Sequence, residues 1–82
     1  MELIIISPEG SQTHTVAWIE AHTATGSCVI LPEHAPMILA LEPGRELLFC
    51  LDNGKQDALI VPRGIMEVTR TRTTVIINKP LA

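Results

Sequence analysis

The spacing of proline and glycine is the feature that most constrains how this chain folds. Six prolines and five glycines divide the 82 residues, and a turn signal recurs every 8–12 residues, as in β-sandwiches and barrels. No segment of ten or more residues keeps a helical apolar period between caps. The intervening segments are rich in β-branched Ile, Val and Thr, which favour strands. The sequence therefore predicts an all-β sandwich or barrel.

Strands are expected wherever a short apolar segment lies between two turn signals. These segments are Glu2–Ser7, Thr13–Thr23, Cys28–Leu31, Met37–Leu41, Glu46–Asp52, Lys55–Val61, Ile65–Val68 and Thr74–Asn78. Asn53 and Gly54 can supply the two positive φ angles of a type I′ turn, which predicts a hairpin between the fifth and sixth segments.

The long second segment shows a two-residue alternation. We expect Val16, Trp18 and His22 on one face and Ala17, Ile19 and Ala21 on the other. Trp18 can serve as part of the core or as an interface anchor.

The apolar content is high for a single small domain, predicted over residues 1–82. The chain is 46% hydrophobic and 18% charged, and its only large aromatic residues are Phe49 and Trp18. In "LLFCL" both faces of the strand are apolar, with Leu48 and Cys50 on the second face. A sandwich normally buries only one face of each sheet. Either a loop covers this strand, or its outer face is docked against another chain.

Composition also argues against several classes of protein. The net charge is −3 and no basic stripe with interleaved aromatics occurs, so we expect no nucleic-acid partner. The N-terminus lacks a basic leader, and no apolar run approaches the ~20 residues needed to cross a bilayer. Cys28 and Cys50 are interpreted as reduced thiols.

The sequence contains no constellation typical of catalysis or metal binding. His14 and His22 share a face on the expected alternation, but roughly 26 Å of strand separates them. His34 and the two cysteines add no Cys-x-x-Cys or His-x-x-x-His spacing. We therefore expect no catalytic residues, no metal and no cofactor.

Two prolines bracket a charged pair in "ILPEHAPMILALEPG". Proline has no N–H and a fixed φ, so Pro32 and Pro36 cannot both lie inside a central strand. Glu33, His34 and Ala35 are therefore held in a defined bend. This bend is either a corner of the fold or a surface for a partner.

Together these elements resemble the N-terminal β-sandwich of the epsilon subunit of F-type ATP synthases. The resemblance covers essentially the whole chain and includes a P-x-H-A-P element, a following P-G, and G-I-x-E-V. The matching positions are Gly26, Ile30, Pro32, His34, Ala35, Pro36, Leu41, Pro43, Gly44, Gly64, Ile65, Glu67 and Val68. The resemblance implies a small two-sheet β-sandwich, or flattened barrel, of about 8–10 short strands.

The resemblance also implies a rotor subunit without chemistry of its own. Such a subunit docks on the gamma subunit and on the membrane c-ring, and couples ion-driven rotation to ATP synthesis from the cytoplasmic side of the bacterial inner membrane. We expect the c-ring to face Thr25, Gly26, Ser27, Glu33, His34, Ala35 and Pro36. We expect gamma to face the outer side of the hairpin, at Leu48, Cys50, Ala58 and Ile60. An isolated domain could dimerise through its uncovered face.

The sequence departs from the family pattern in several places. A typical member continues into an inhibitory two-helix C-terminal domain, whereas this sequence ends at Ala82, so we expect that domain to be absent. Glu33 stands where a glycine or small polar residue is usual, Arg63 replaces the first glycine of a pair, and "TRTR" replaces a turn rich in Pro, Gly or Asn. These departures leave an alternative function, a divergent β-sandwich adaptor outside the synthase.

Overall fold

The computed structural model describes residues 1–78, and they form eight strands and no helix. The all-β prediction is confirmed. The strands are β1 (Glu2–Ser7), β2 (Gly10–Thr23), β3 (Gly26–Ile30), β4 (Met37–Leu41), β5 (Glu46–Leu51), β6 (Gln56–Ile60), β7 (Gly64–Val68) and β8 (Arg72–Ile77). The expected last strand, Thr74–Asn78, begins two residues later and ends one residue later than β8 does.

The strands form one curled sheet that folds over itself into two layers. Its order is β4-β7-β8-β1-β2-β5-β6, and β3 pairs with the other side of β2. The first part of β2 pairs with β1, and its second part pairs with β3 and β5. We call β4-β7-β8-β1 and the start of β2 the first layer, and the rest of β2 with β3, β5 and β6 the second layer. The long strand β2 is therefore shared by both layers.

A β-bulge in β2 corrects the predicted alternation. Val16 pairs with Leu51 and Trp18 pairs with Cys50. The pairing therefore moves by two residues along β2 but by only one residue along β5. Ala17 is the extra residue, and a bulge of this kind changes which side chains point inward. Val16 consequently lies in the core together with Ile19 and Ala21, not on the face of Trp18 and His22.

The core between the layers is aliphatic apart from one aromatic ring, as the composition predicted. Its members are Leu3, Ile5, Val16, Ile19, Ala21, Ile30, Leu41, Leu47, Phe49, Val61, Met66, Val68, Val75 and Ile77. Thr73 is also fully buried, and its hydroxyl has no hydrogen-bond partner among the described residues.

The hairpin between β5 and β6 has a different turn from the predicted type I′. Gly54 has a φ of 89°, whereas Asn53 does not have a positive φ. The Gly54 N–H donates to the Leu51 carbonyl (2.9 Å), and the Leu51 N–H donates to the Lys55 carbonyl (2.7 Å). This is a three-residue loop closed by a glycine in the left-handed region.

The backbones of β7 and β8 approach closely at Gly64. A Cβ on Gly64 would lie 2.8 Å from Ile77 Cγ2 and 2.9 Å from the Ile76 carbonyl oxygen. Only a residue without a side chain fits there without displacing β8, and this position matches the glycine of the G-I-x-E-V element.

Candidate functional site

The outer side of the first layer carries a broad apolar surface, which we call the isoleucine face: Ile6, Ile38, Ala40, Ile65 and Ile76. Strand register places Ala40 beside Ile65, Ile65 beside Ile76, and Ile76 beside Ile6, so one row crosses four strands. Ile38, Ile65 and Ile76 are 70%, 53% and 52% exposed. A contiguous apolar patch of this kind marks an interaction surface more often than isolated apolar residues do.

Sequence reasoning missed the isoleucine face, although a signal for it was present. In "LIII" and "VII" consecutive residues are apolar, so both faces of β1 and β8 had to be apolar, as in "LLFCL". That criterion, applied to every strand, predicts two outer apolar surfaces.

An open apolar cleft continues the isoleucine face at one end of the domain. Its volume is about 550 Å³, and Ala40, Leu41, Pro43, Ile65 and Ile76 contribute to its walls. Arg63 and Glu42 bring opposite charges to the same cleft. The cleft can accept an apolar side chain, and it shares three of its residues with the isoleucine face.

The outer side of the second layer forms another surface, which we call the hairpin face: Trp18, Glu20, Val29, Leu48, Cys50, Ala58 and Ile60. Register places Leu48 beside Ala58, so the four residues predicted to meet gamma do lie on one side of the hairpin. Their exposure differs, because Ile60 is 58% exposed and Cys50 only 8%. β5 lies between β2 and β6, so the accessible apolar part of this face is at its margins.

The proline bend is a tight turn at the opposite end from the cleft. The His34 N–H donates to the Leu31 carbonyl (3.2 Å), with Pro32 and Glu33 as the central residues. Glu33 has a φ of 66°, the only positive φ of a non-glycine residue in the described chain. Proline followed by a residue of positive φ is the pattern of a type II turn.

One hydrogen bond ties this bend to the rest of the fold, and a second contact lies within the bend. The Glu33 N–H donates to the Arg70 carbonyl in the turn between β7 and β8 (2.9 Å). The His34 Nδ1 lies 2.8 Å from the Ala35 carbonyl oxygen. The bend is therefore a braced corner.

The structure does not bring the predicted c-ring residues together. Thr25, Gly26 and Ser27 lie at the start of β3, whereas Glu33 to Pro36 follow its end. The five residues of β3 span about 16 Å at ~3.3 Å per residue. The Thr23 hydroxyl donates to the Gly26 carbonyl (2.9 Å), which fixes the turn at the first of these positions. The two sets therefore lie at opposite ends of β3, and their contact with the c-ring stays a prediction.

The histidines lie on opposite sides of β2, which corrects their predicted common face. His14 pairs with the core residue Leu3, and its ring centroid lies 5.1 Å from that of Phe49. His22 lies beyond the bulge and contacts the Arg45 guanidinium (3.5 Å) on the outside. Within residues 1–78, no three His, Cys, Asp or Glu side chains are grouped as metal ligands.

Both cysteines are free, as the sequence predicted. Cys28 pairs in register with the inward residue Ala21, whereas Cys50 pairs with the outward residue Trp18, so the two thiols lie on opposite faces of the second layer. Burial raises the pKa of the Cys28 thiol, which disfavours the thiolate.

Known proteins resemble this chain in both sequence and fold. It is 41% identical to the ATP synthase epsilon chain of Chloroflexus aurantiacus over 61 residues, which are 74% of this chain and 42% of that protein. It is 32% identical to the ATP synthase epsilon chain of Acinetobacter baumannii over 73 residues, which are 89% of this chain and 52% of that protein. The chain thus spans about half the length of the curated relatives it matches.

Two solved structures share the fold. A chain of the Euglena gracilis mitochondrial ATP synthase (OSCP/F1/c-ring) superposes with a TM-score of 0.84 at 22% identity, over 92% of this chain and 48% of that one. A chain of the Tetrahymena thermophila mitochondrial ATP synthase (central stalk/c-ring) gives 0.81 at 17% identity, over 100% of this chain and 65% of that one.

A whole-family pattern also matches this chain. The sequence model for "ATP synthase, Delta/Epsilon chain, beta-sandwich domain" matches residues 1–80. This confirms the resemblance inferred from the P-x-H-A-P and G-I-x-E-V elements. The chain therefore belongs to the family of ATP synthase delta/epsilon β-sandwich domains.

Proposed function

We propose that this chain is a central-stalk subunit of an F-type ATP synthase that catalyses no reaction itself. It docks on the gamma subunit and the c-ring and couples the rotation of the ring to ATP synthesis. Family membership supports this role, since its relatives are ATP synthase epsilon chains. The observation that carries the proposal is the isoleucine face, because a broad exposed apolar surface needs a protein partner to cover it.

We assign gamma to the isoleucine face and not to the hairpin face predicted from the sequence. Ile38, Ile65 and Ile76 each expose more than half of their surface, and their row continues into the cleft beside Arg63. On the hairpin face Cys50 is almost inaccessible, and Glu20 interrupts the apolar row. Burial of apolar area drives association. The isoleucine face exposes more apolar area than the hairpin face, so it is the better docking surface for gamma.

We place the c-ring at the braced proline corner. Pro32, Pro36 and the bond from Glu33 to the Arg70 carbonyl hold this corner rigid, so little conformational entropy is lost when it meets a partner. The turn at Thr25–Ser27 is the alternative ring contact. In this assembly the domain lies at the cytoplasmic side of a bacterial inner membrane, peripheral to it. No helix in residues 1–78 has the length and apolar character to cross a bilayer.

Co-purification with the gamma subunit encoded in the same genome tests the proposal. Ile65→Asp and Ile60→Asp are matched variants, because the two side chains are similarly exposed (53% and 58%) on opposite faces. Ile65→Asp should abolish co-purification, and Ile60→Asp should retain it. The reverse result would return gamma to the hairpin face. Binding by both single variants and by the double variant would refute docking through either sheet face.

A further inference from the structure

Glu20 lies in the centre of the hairpin face. In register it is flanked by Val29 on β3 and by Leu48 on β5, and Leu48 is followed by Ala58 on β6. Glu20 is half-buried, and the side chains on either side of it are apolar. A carboxylate in such surroundings loses part of its hydration unless a cation or a hydrogen-bond donor replaces it.

This carboxylate has no cationic partner within the described chain. In residues 1–78 the one ion pair joins Arg72 to Glu2, on the first layer. The strands β3, β5, β6 and the second part of β2 contain no Lys or Arg. The Arg45 guanidinium contacts His22 at the end of the face, not its centre. A second carboxylate, Glu46, pairs in register with exposed Ile60 on the same side.

We propose that the hairpin face is a second docking surface, which binds a basic amphipathic helix of a partner protein. A Lys or Arg of that helix pairs with Glu20, while its apolar residues pack on Val29, Leu48 and Ile60. The aliphatic stem of a basic side chain can cover the neighbouring apolar surface while its charged end reaches the carboxylate. This inference concerns the face opposite the one assigned to gamma and rests on that assignment, but peptide binding tests it separately.

The geometry favours a helix as the occupant. The hairpin face presents side chains and no free backbone groups, so a partner cannot bind there by adding a strand, as it could at a sheet edge. Apolar residues at helical spacing, with a basic residue among them, meet both the apolar rows and the central charge.

The single tryptophan provides a local probe. Trp18 is half-buried and lies on the hairpin face beside Cys50. The full chain should be titrated with a synthetic Leu/Lys amphipathic helix, and in parallel with the same peptide carrying Glu in place of Lys. We expect a saturable change in Trp18 emission with the basic peptide and none with the acidic one.

Charge variants test whether Glu20 is responsible for binding of the basic peptide. Glu20→Gln removes the charge with almost no change of shape and should weaken binding about tenfold, the size expected for a desolvated ion pair of about 1.4 kcal/mol. Glu67→Gln, on the outer side of the first layer, is the matched control and should bind like the unmodified chain. Equal binding of both peptides, or an unchanged affinity of Glu20→Gln, would overturn the proposal.

Salt dependence keeps the test decisive if a variant misfolds. An ion pair at Glu20 requires the affinity of the unmodified chain for the basic peptide to fall as NaCl is raised. An affinity that is independent of salt would refute the role of Glu20. If the affinity for the basic peptide falls with salt but the chain does not bind gamma, the rotor assignment is refuted. The proposal for the hairpin face is then still supported.

Discussion

Replacement of Glu33 by glycine should stabilise the domain. Glu33 is the second central residue of the turn from Leu31 to His34 and has a φ of 66°. Its Cβ makes this left-handed conformation unfavourable, whereas glycine adopts it freely. The bond from the Glu33 N–H to the Arg70 carbonyl involves only the backbone, so the substitution can retain it.

The size of the effect follows from two opposing terms. The left-handed conformation costs an ordinary L-residue about 1–2 kcal/mol. Glycine gives the unfolded chain extra freedom, which lowers stability by about 0.4–1 kcal/mol. The difference is a gain of about 0.8 kcal/mol in the free energy of unfolding. For a domain of this size that gain raises the Tm by about 3–6 °C.

Thermal unfolding followed by circular dichroism measures this shift, with Glu33→Ala as the matched control. Alanine removes the carboxylate but keeps the Cβ, so it should leave the Tm within about 2 °C of the starting chain. An equal gain from Glu33→Ala and Glu33→Gly would show that the charge, not the backbone, was responsible. A lower Tm for Glu33→Gly would refute the reasoning altogether.

Two further substitutions test the packing of β8. Gly64→Ala should destabilise the domain by about 1–3 kcal/mol, because the new Cβ meets the Ile76 carbonyl oxygen and β8 must shift. Unfolding in urea measures this loss. An unchanged midpoint would show that the two strands can separate at no cost. Thr73→Val should stabilise the domain by about 1 kcal/mol, since a methyl group of the same shape replaces a buried hydroxyl without a partner. The control Thr74→Val, on the outer side, should change stability little. A loss of stability in Thr73→Val would mean that the hydroxyl has a hydrogen-bond partner in solution.

The strand positions could be predicted because they depend on local chemistry. The bounds of β1 and β4 match the expected segments residue for residue, since Pro and Gly end each of them. The bulge at Ala17 could not be predicted, because nothing about alanine marks an extra residue in a strand. It arises from the need of β2 to pair with β5 while keeping Val16 in the core.

The candidate site was only partly predictable, because part of it depends on contacts between strands that are distant in sequence. Residues near one another in sequence, such as Leu48 and Cys50, were placed correctly on one face. The separation of Ser27 from His34 could have been predicted, because the expected strand Cys28–Leu31 lies between them and places them at its opposite ends. The isoleucine face, by contrast, combines β1, β4, β7 and β8, which are adjacent only in the folded sheet.

The position of β8 has a consequence for how the protein is made. β8 is the strand that joins the β4–β7 pair to β1, and it places Arg72 beside Glu2 in a parallel ladder. Contacts between residues so distant in sequence must overcome a large loop-closure entropy and form slowly. On the ribosome, the apolar sides of the earlier strands therefore stay exposed until nearly the whole domain has emerged. We therefore expect the nascent chain to be prone to aggregation until β8 has paired with β1.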